Sequence, residues 1–228
     1  MRHYPASYLT TPSRLDVVKP LPSSAEQADA DRVRRAFLLE GDPAPFMVDV
    51  IRALRLVKDR KSYVEIGTFD KGCLAYASSL LAADAVIVDV DIAVHPERTA
   101  RLARVLKPRQ RLATVVGDSS ALTTRDEVRQ ALGGRKADCV FVDGNHAASY
   151  CWADYCNYAE LVAEGGVMLF HDIYWRGTKD CLGVSQAAEW IDRVQPLCVV
   201  FADHPLHRFF PWFDTTLDVW GGVGILPL

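Results

Sequence analysis

Nowhere in this chain of 228 residues does an apolar run approach the roughly 20 residues needed to cross a bilayer. Runs such as 85–88 and 167–170 are far shorter, and no membrane partner is expected. There is no basic excess either. Lysine and arginine number 26 against 29 acidic residues, a net charge of −3; a surface that tracks phosphate backbones needs the opposite balance, so nucleic acid is not expected as a partner. The first residues are polar, punctuated by proline and without an apolar h-region, which reads as neither signal peptide nor anchor and implies a cytoplasmic setting. No CxxC pair occurs, and the six cysteines at 73, 139, 151, 156, 181 and 198 fit no common zinc spacing. Cys139 and Cys198 sit inside apolar runs and read as reduced buried thiols, with disulfides or thiol catalysis as the minor alternatives. The GxGxxG fingerprint is missing, which counts against NAD. Internal repeats and low-complexity segments are missing too.

What is present is a globular composition, 50% apolar and 24% charged, enough for a core and at odds with disorder. The N-terminal part reads as an arm (1–22) and a charged helix (25–39) opened by the capping box Ser23-Ser24-Ala25-Glu26. A second, amphipathic helix near 44–58 follows, with Phe46, Met47, Val50, Ile51, Leu54 and Val57 at helical spacing. Residues 1–58 are therefore expected to form a lid or a subunit contact in a homo-oligomer, and 59–228 the main domain. From residue 62 the pattern changes. Short β-rich runs at 62–66, 85–90, 112–116, 138–142 and 167–170 alternate with helical stretches near 72–83, 96–106, 124–132 and 148–163. Another helix (183–194), a strand (197–201) and a last strand within 217–226 complete the alternation. Near-continuously apolar strands separated by helices imply an α/β fold whose parallel sheet is covered on both faces.

Ligands of such sheets bind beyond the carboxyl ends of the strands, and here those ends are polar in an ordered way. The first reads Glu65-Ile66-Gly67-Thr68-Phe69, where Gly67 lets the backbone turn sharply against a ligand; a tight turn with no ligand is an equal reading. The second reads Val88-Asp89-Val90-Asp91, a carboxylate able to accept both hydroxyls of a ribose, or else a helix N-cap. The third, Gly117-Asp118-Ser119, offers an acceptor for an exocyclic amine, or a simple turn. The fourth and fifth, Val142-Asp143-Gly144-Asn145-His146 and Phe170-His171-Asp172, are one strand–helix–strand unit apart and bring Asp143, His171 and Asp172 together. Two carboxylates and an imidazole suit a divalent cation, although a metal-free polar cluster fits as well. His146, on the same loop, has the pKa range of a general base. The aromatic stripe Trp152, Tyr155, Tyr158 reads first as core or interface, and the loop 208–213 as a pocket cap, a partner contact or a core plug.

Taken in order, these five strand-end motifs resemble those of class I S-adenosylmethionine (SAM)-dependent methyltransferases over about residues 60–225. Within that class they are most similar to the metal-dependent O-methyltransferases of macrolide and aminocoumarin sugars and to cephalosporin hydroxylase-type relatives, with a ligand spacing shared by the catechol-type enzymes. The resemblance implies a Rossmann-like sheet of seven strands, mostly parallel with the last antiparallel, and SAM-dependent methylation of a small-molecule hydroxyl, as in antibiotic biosynthesis. An N-methyltransferase or a non-methylating SAM-binding subunit is the alternative. It implies Glu65 and Gly67 at the methionine end of SAM, Thr68 and Phe69 also on the cofactor, Asp89 or next Asp91 on the ribose, Asp118 and Ser119 near the adenine, and Asp143 as both a cofactor-binding and a catalytic residue. It also implies Mg²⁺ on Asp143, His171 and Asp172, with His146 as base. Two positions depart from the pattern. Lys71 stands where a glycine is usual, and His171 replaces an acid, which moves preference toward Mn²⁺, Fe²⁺, Co²⁺ or Zn²⁺.

Overall fold

Branched side chains fit a pleated surface covered on both sides, and the valine- and isoleucine-rich runs become strands accordingly. The computed structural model describes residues 28, 48–69, 71–173, 175, 177, 178, 181–200 and 222–228. In chain order the elements are α1 (Val48–Leu54), β1 (Ser62–Ile66), α2 (Gly72–Leu80), β2 (Val86–Asp91), α3 (Pro96–Val105) and β3 (Arg111–Val116). There follow α4 (Leu122–Ala131), β4 (Ala137–Val142), α5 (Ala148–Tyr158) and β5 (Val162–His171). A two-residue pair, β6 (Gly177–Thr178) and β7 (Cys181–Leu182), precedes α6 (Val184–Val194), β8 (Cys198–Val200) and β9 (Val223–Pro227). The main sheet has seven strands in the order β3-β2-β1-β4-β5-β9-β8. Strands β1 to β5 pair in parallel, and β9 runs antiparallel to both its neighbours. The expected Rossmann-like fold is the observed one.

Side chains alternate between two cores. Tyr63, Ile87, Cys139, Phe141 and Leu169 face one, with α1, α2 and Leu102 of α3; Val64, Val88, Val140, Met168 and Phe170 face the other, with α4, α5 and α6. That period of two, with a helix layer on each side, is why the strands read as continuous apolar runs. Edge strand β3 is the exception: Arg111, Thr114 and Val116 are exposed. Strand β5 starts at Val162, ahead of the expected 167, because Glu164-Gly165-Gly166 is a bulge inside the strand; Gly165 sits at φ 74° and the register shifts between Ala137 and Cys139.

The expected division at residue 58 does not fall at a break in packing. Val50, Ile51, Leu54 and Val57 are buried in the same core as Tyr63 and Ile225, so the stripe of the second early helix finds its partner surface on this sheet. The arm, the helix at 25–39 apart from residue 28, and the loop at 208–213 lie outside the described residues. Trp152 packs edge-on to Trp190 of α6 and Tyr158 is buried, the core reading of that stripe. None of the six cysteines is joined in a disulfide; Cys139, Cys151 and Cys198 are buried, Cys156 and Cys181 exposed. No described helix is long and apolar enough to cross a membrane.

Candidate functional site

Strand β1 pairs with β2 on one side and β4 on the other, so the strand order reverses there and opens a crevice beyond their carboxyl ends. A cleft of about 380 Å³ occupies it. Of the residues singled out in the sequence, Gly67, Phe69, Asp91, Asp118, Ser119 and Asp143 line this cleft. Gly67 adopts φ +80°, and a Cβ there would lie 2.2 Å from the Asp143 carbonyl oxygen. The β1 and β4 loops touch backbone to backbone at this point, which only glycine permits. Gly67→Ala should therefore cost more than about 3 kcal/mol of stability, whereas Gly133→Ala, at a similar φ of +68° in open space, should cost about 1–2 kcal/mol. Equal urea midpoint shifts for the two variants would refute the close-approach role.

Asp89 is placed otherwise than expected. It is fully buried, with its carboxylate 2.6 Å from the Lys71 ammonium and accepting from Thr68 Oγ1 at 2.5 Å and Thr114 Oγ1 at 3.0 Å. Lys71, 1% exposed, also donates to Thr68 Oγ1. Every lone pair of Asp89 that faces a polar group is taken, so Asp89 and Thr68 form a buried support and not the cleft wall. Glu65 is likewise sequestered, 2% exposed and accepting from Tyr63 Oη at 2.6 Å. The carboxylate of β2 that reaches the cleft is Asp91, held by the Phe69 N–H at 2.9 Å and the Ala93 N–H at 3.2 Å. Phe69, 69% exposed at the rim, is fixed by Arg98, whose guanidinium lies 4.7 Å from its ring centroid and donates to its carbonyl. Asp118 accepts from the N–H and hydroxyl of Ser120, an Asx turn that leaves Oδ2 for a ligand. Ile92 and Tyr150 also line the wall and were not singled out in the sequence; Asn145, quoted there within the fourth strand-end motif but given no role, lines it too.

Asp143 lies between this cleft and a smaller hollow shared with His146 and His171. There the structure brings together the three expected metal ligands and His146. One ligand atom from each of Asp143, His146, His171 and Asp172 falls within 4.8 Å of the others. His171 Nδ1 is 2.9 Å from Asp143 Oδ1 and 3.5 Å from Asp172 Oδ2; His146 Nε2 is 3.0 Å from Asp172 Oδ2 and 3.8 Å from Asp143 Oδ1. Ligands held about 2.1 Å from an ion stand about 3–4 Å apart, so this donor set fits a divalent cation. Burial lowers the His146 pKa, but the hydrogen bond and charge of Asp172, with the charge of Asp143, outweigh it and leave the imidazole's pKa raised. Trp175 packs edge-on to His146 at 5.6 Å. Asp172 takes a left-handed φ of 52°, a conformation aspartate tolerates better than most residues.

Comparison with known proteins accords with this fold. The model of the methyltransferase-domain family matches residues 64–173. No curated protein matches the chain by sequence. Among solved structures, the chain is similar to the O-methyltransferase TomG from Streptomyces achromogenes, involved in tomaymycin synthesis and solved with SAM (17% identity, 92% of each chain, TM-score 0.59). It is similar to an O-methyltransferase from Bacillus cereus solved with S-adenosylhomocysteine (SAH) (15% identity, 94% of each chain, TM-score 0.57). It is also similar to MycE, a methyltransferase of the mycinamycin pathway solved with Mg, SAH and mycinamycin VI (19% identity, 87% of this chain and 54% of that one, TM-score 0.54). The chain thus spans about half the length of MycE.

Proposed function

From a chain that carries a methyltransferase domain in the class I SAM-dependent fold, we propose an O-methyltransferase that transfers the methyl group of SAM to a hydroxyl of a small molecule, assisted by a divalent cation. The observation that carries this reading is the gathering of Asp143, His146, His171 and Asp172 at the edge of the strand-end cleft. The relatives named above support the substrate class, since MycE is solved with mycinamycin VI and Mg, and TomG serves tomaymycin synthesis. A natural-product hydroxyl, on a sugar or a ring, is the acceptor we infer.

SAM brings its own activated methyl group, and a cation supplies Lewis acidity that eases loss of a proton from a coordinated hydroxyl. The chain has then to bind, orient and accept a proton. Asp91 accepts the ribose hydroxyls, Asp118 the adenine amine, and Gly67 lets the β1 loop lie flat against the methionine end. Asp143, His171 and Asp172 hold the cation. His146 either completes that coordination or, released from Asp172, takes the acceptor's proton.

Calorimetry with SAH tests the cofactor part. Micromolar binding, roughly −8 kcal/mol, is expected. Asp91→Ala should lose about 1–3 kcal/mol of it by leaving ribose hydroxyls unpaired. No binding to the wild type would remove the SAM reading, and full-strength binding by Asp91→Ala would remove the ribose role.

A further inference from the structure

Helix α5 buries a carboxyl that neither the fold nor the proposed chemistry uses. Asp154 is 0% exposed, and neither of its carboxylate oxygens makes a hydrogen bond of ordinary geometry among the described residues. Nor does it join any ion pair there. Such burial is expensive and adds nothing to packing that an apolar residue would not. The carboxyl is aimed at the cleft wall. Its Oδ2 is 3.9 Å from where a Gly144 Cβ would sit, and the Ser119 hydroxyl faces it closely enough to lower its pKa, against the burial that raises it. Gly144 and Ser119 both line the cleft. The next turn of the helix ties the same loop down, Asn157 Nδ2 donating to the Ser120 carbonyl at 2.8 Å. The remaining groups around Asp154 are few. Asp118 faces it from the β3–α4 turn, and the Cys151 thiol and Tyr158 phenol from α5 itself. Arg125 of α4, which faces Tyr158, is engaged by Asp126 and Glu160.

We propose that Asp154 is a positioning residue for the cofactor: through the Ser119 hydroxyl it sets whether the adenine side of the cleft offers a hydrogen-bond donor or only an acceptor. The inference rests on the SAM reading above. A protonated Asp154 donates to Ser119 Oγ and turns the serine's own hydrogen into the cleft; an ionised Asp154 takes that hydrogen for itself. Along one edge adenine presents an exocyclic amine, a donor, beside a ring nitrogen, an acceptor. Asp118 Oδ2 suits the amine, so the neighbouring Ser119 must donate to suit the ring nitrogen. Protonated Asp154 is therefore the cofactor-binding form, and binding draws in a proton. Burial pushes this carboxyl up to about 7, against the pull of Ser119 and with a further push from Asp118, so both forms are within reach of neutral pH.

Calorimetry of SAH in buffers of different ionisation enthalpy tests this. Wild type should bind about tenfold more weakly at about pH 8 than at about pH 6, and should take up close to one proton at the higher pH. Asp154→Asn, neutral throughout and with an amide that still donates to Ser119, should bind at both pH values as wild type does at the lower one, with no uptake traceable to this site. Ser119→Ala should also lose the pH ratio, because the relay is cut. Wild type with no proton uptake, or either variant with the wild-type ratio, overturns the proposal. Absence of SAH binding at every pH overturns the SAM reading and this inference with it, a result distinct from pH-independent binding.

Discussion

Lys71→Ala is expected to lower folding stability by about 3–5 kcal/mol, read as a fall in the urea midpoint at unchanged slope. The ammonium is 2.6 Å from Asp89, with the two side chains 1% and 0% exposed. Neither charge has water to return to, so removing the cation leaves a bare carboxylate in the core, supported among the described residues only by the Thr68 and Thr114 hydroxyls. The pair as a whole need not be worth that much, because burying both charges had its own cost. Lys71→Met combined with Asp89→Leu should therefore recover a large part of the loss. Backbone conformation adds a second, smaller effect. Lys71 caps α2 at φ 63° in the left-handed region, so Lys71→Gly, which relieves that strain while removing the same charge, should be about 1 kcal/mol less damaging than Lys71→Ala. A midpoint within about 0.5 kcal/mol of wild type for Lys71→Ala would mean that Asp89 finds other support, and the buried-pair account would fall.

The same pair explains where the sequence was and was not legible. The strand runs, the glycine after β1 and the His/Asp cluster could all be read, because each depends on local pattern and on the fixed length of a strand–helix–strand unit. Asp89 and Asp91 could not be told apart that way. They are two residues apart on one strand and face the same side. Register separates them: Asp89 is still inside the sheet, opposite Glu65 and Thr114, whereas β1 has ended by the time Asp91 is reached. Lys71, visible in the sequence only as a missing glycine, is what Asp89 serves. Asp154 was open to discovery. It lies three residues after Cys151 and four before Tyr158, on the buried stripe of α5, where a lone acid is out of place. His146 was placed on the correct loop. Its approach to 3.0 Å from Asp172 depends on how two loops fold over one another, which spacing does not encode.

That approach makes the role of His146 a matter of experiment, with activity loss expected in either case. Chelation of wild type with EDTA should abolish methyl transfer and divalent cation should restore it, since Asp143, His171 and Asp172 lose their purpose without an ion between them. Asp172→Asn keeps a side chain suited to the left-handed φ of 52° but removes an anionic ligand, so it should weaken cation binding without unfolding the loop. Asp143→Ala should do the same and also disturb the cleft, because Asp143 lines both hollows. His146→Ala separates the two readings. If His146 is the base, cation affinity, measured by calorimetry with Mn²⁺ or Mg²⁺, stays near the wild-type value while the rate falls by about 10²–10⁴-fold. If it is a ligand, affinity falls along with the rate, as it does for Asp172→Asn, and added cation recovers part of the activity. His146 Nε2 is 3.0 Å from Asp172 and His171 Nδ1 is 2.9 Å from Asp143, so the two histidines stand alike toward their carboxylates and only the affinity measurement separates the roles. An imidazole bound to a cation through Nε2 has no lone pair left there to accept a proton, so the two roles exclude each other at that nitrogen. Full activity in EDTA-treated wild type would remove the cation altogether and leave the four residues as a hydrogen-bonded pair of imidazole–carboxylate couples, with His146 held by Asp172 as the base.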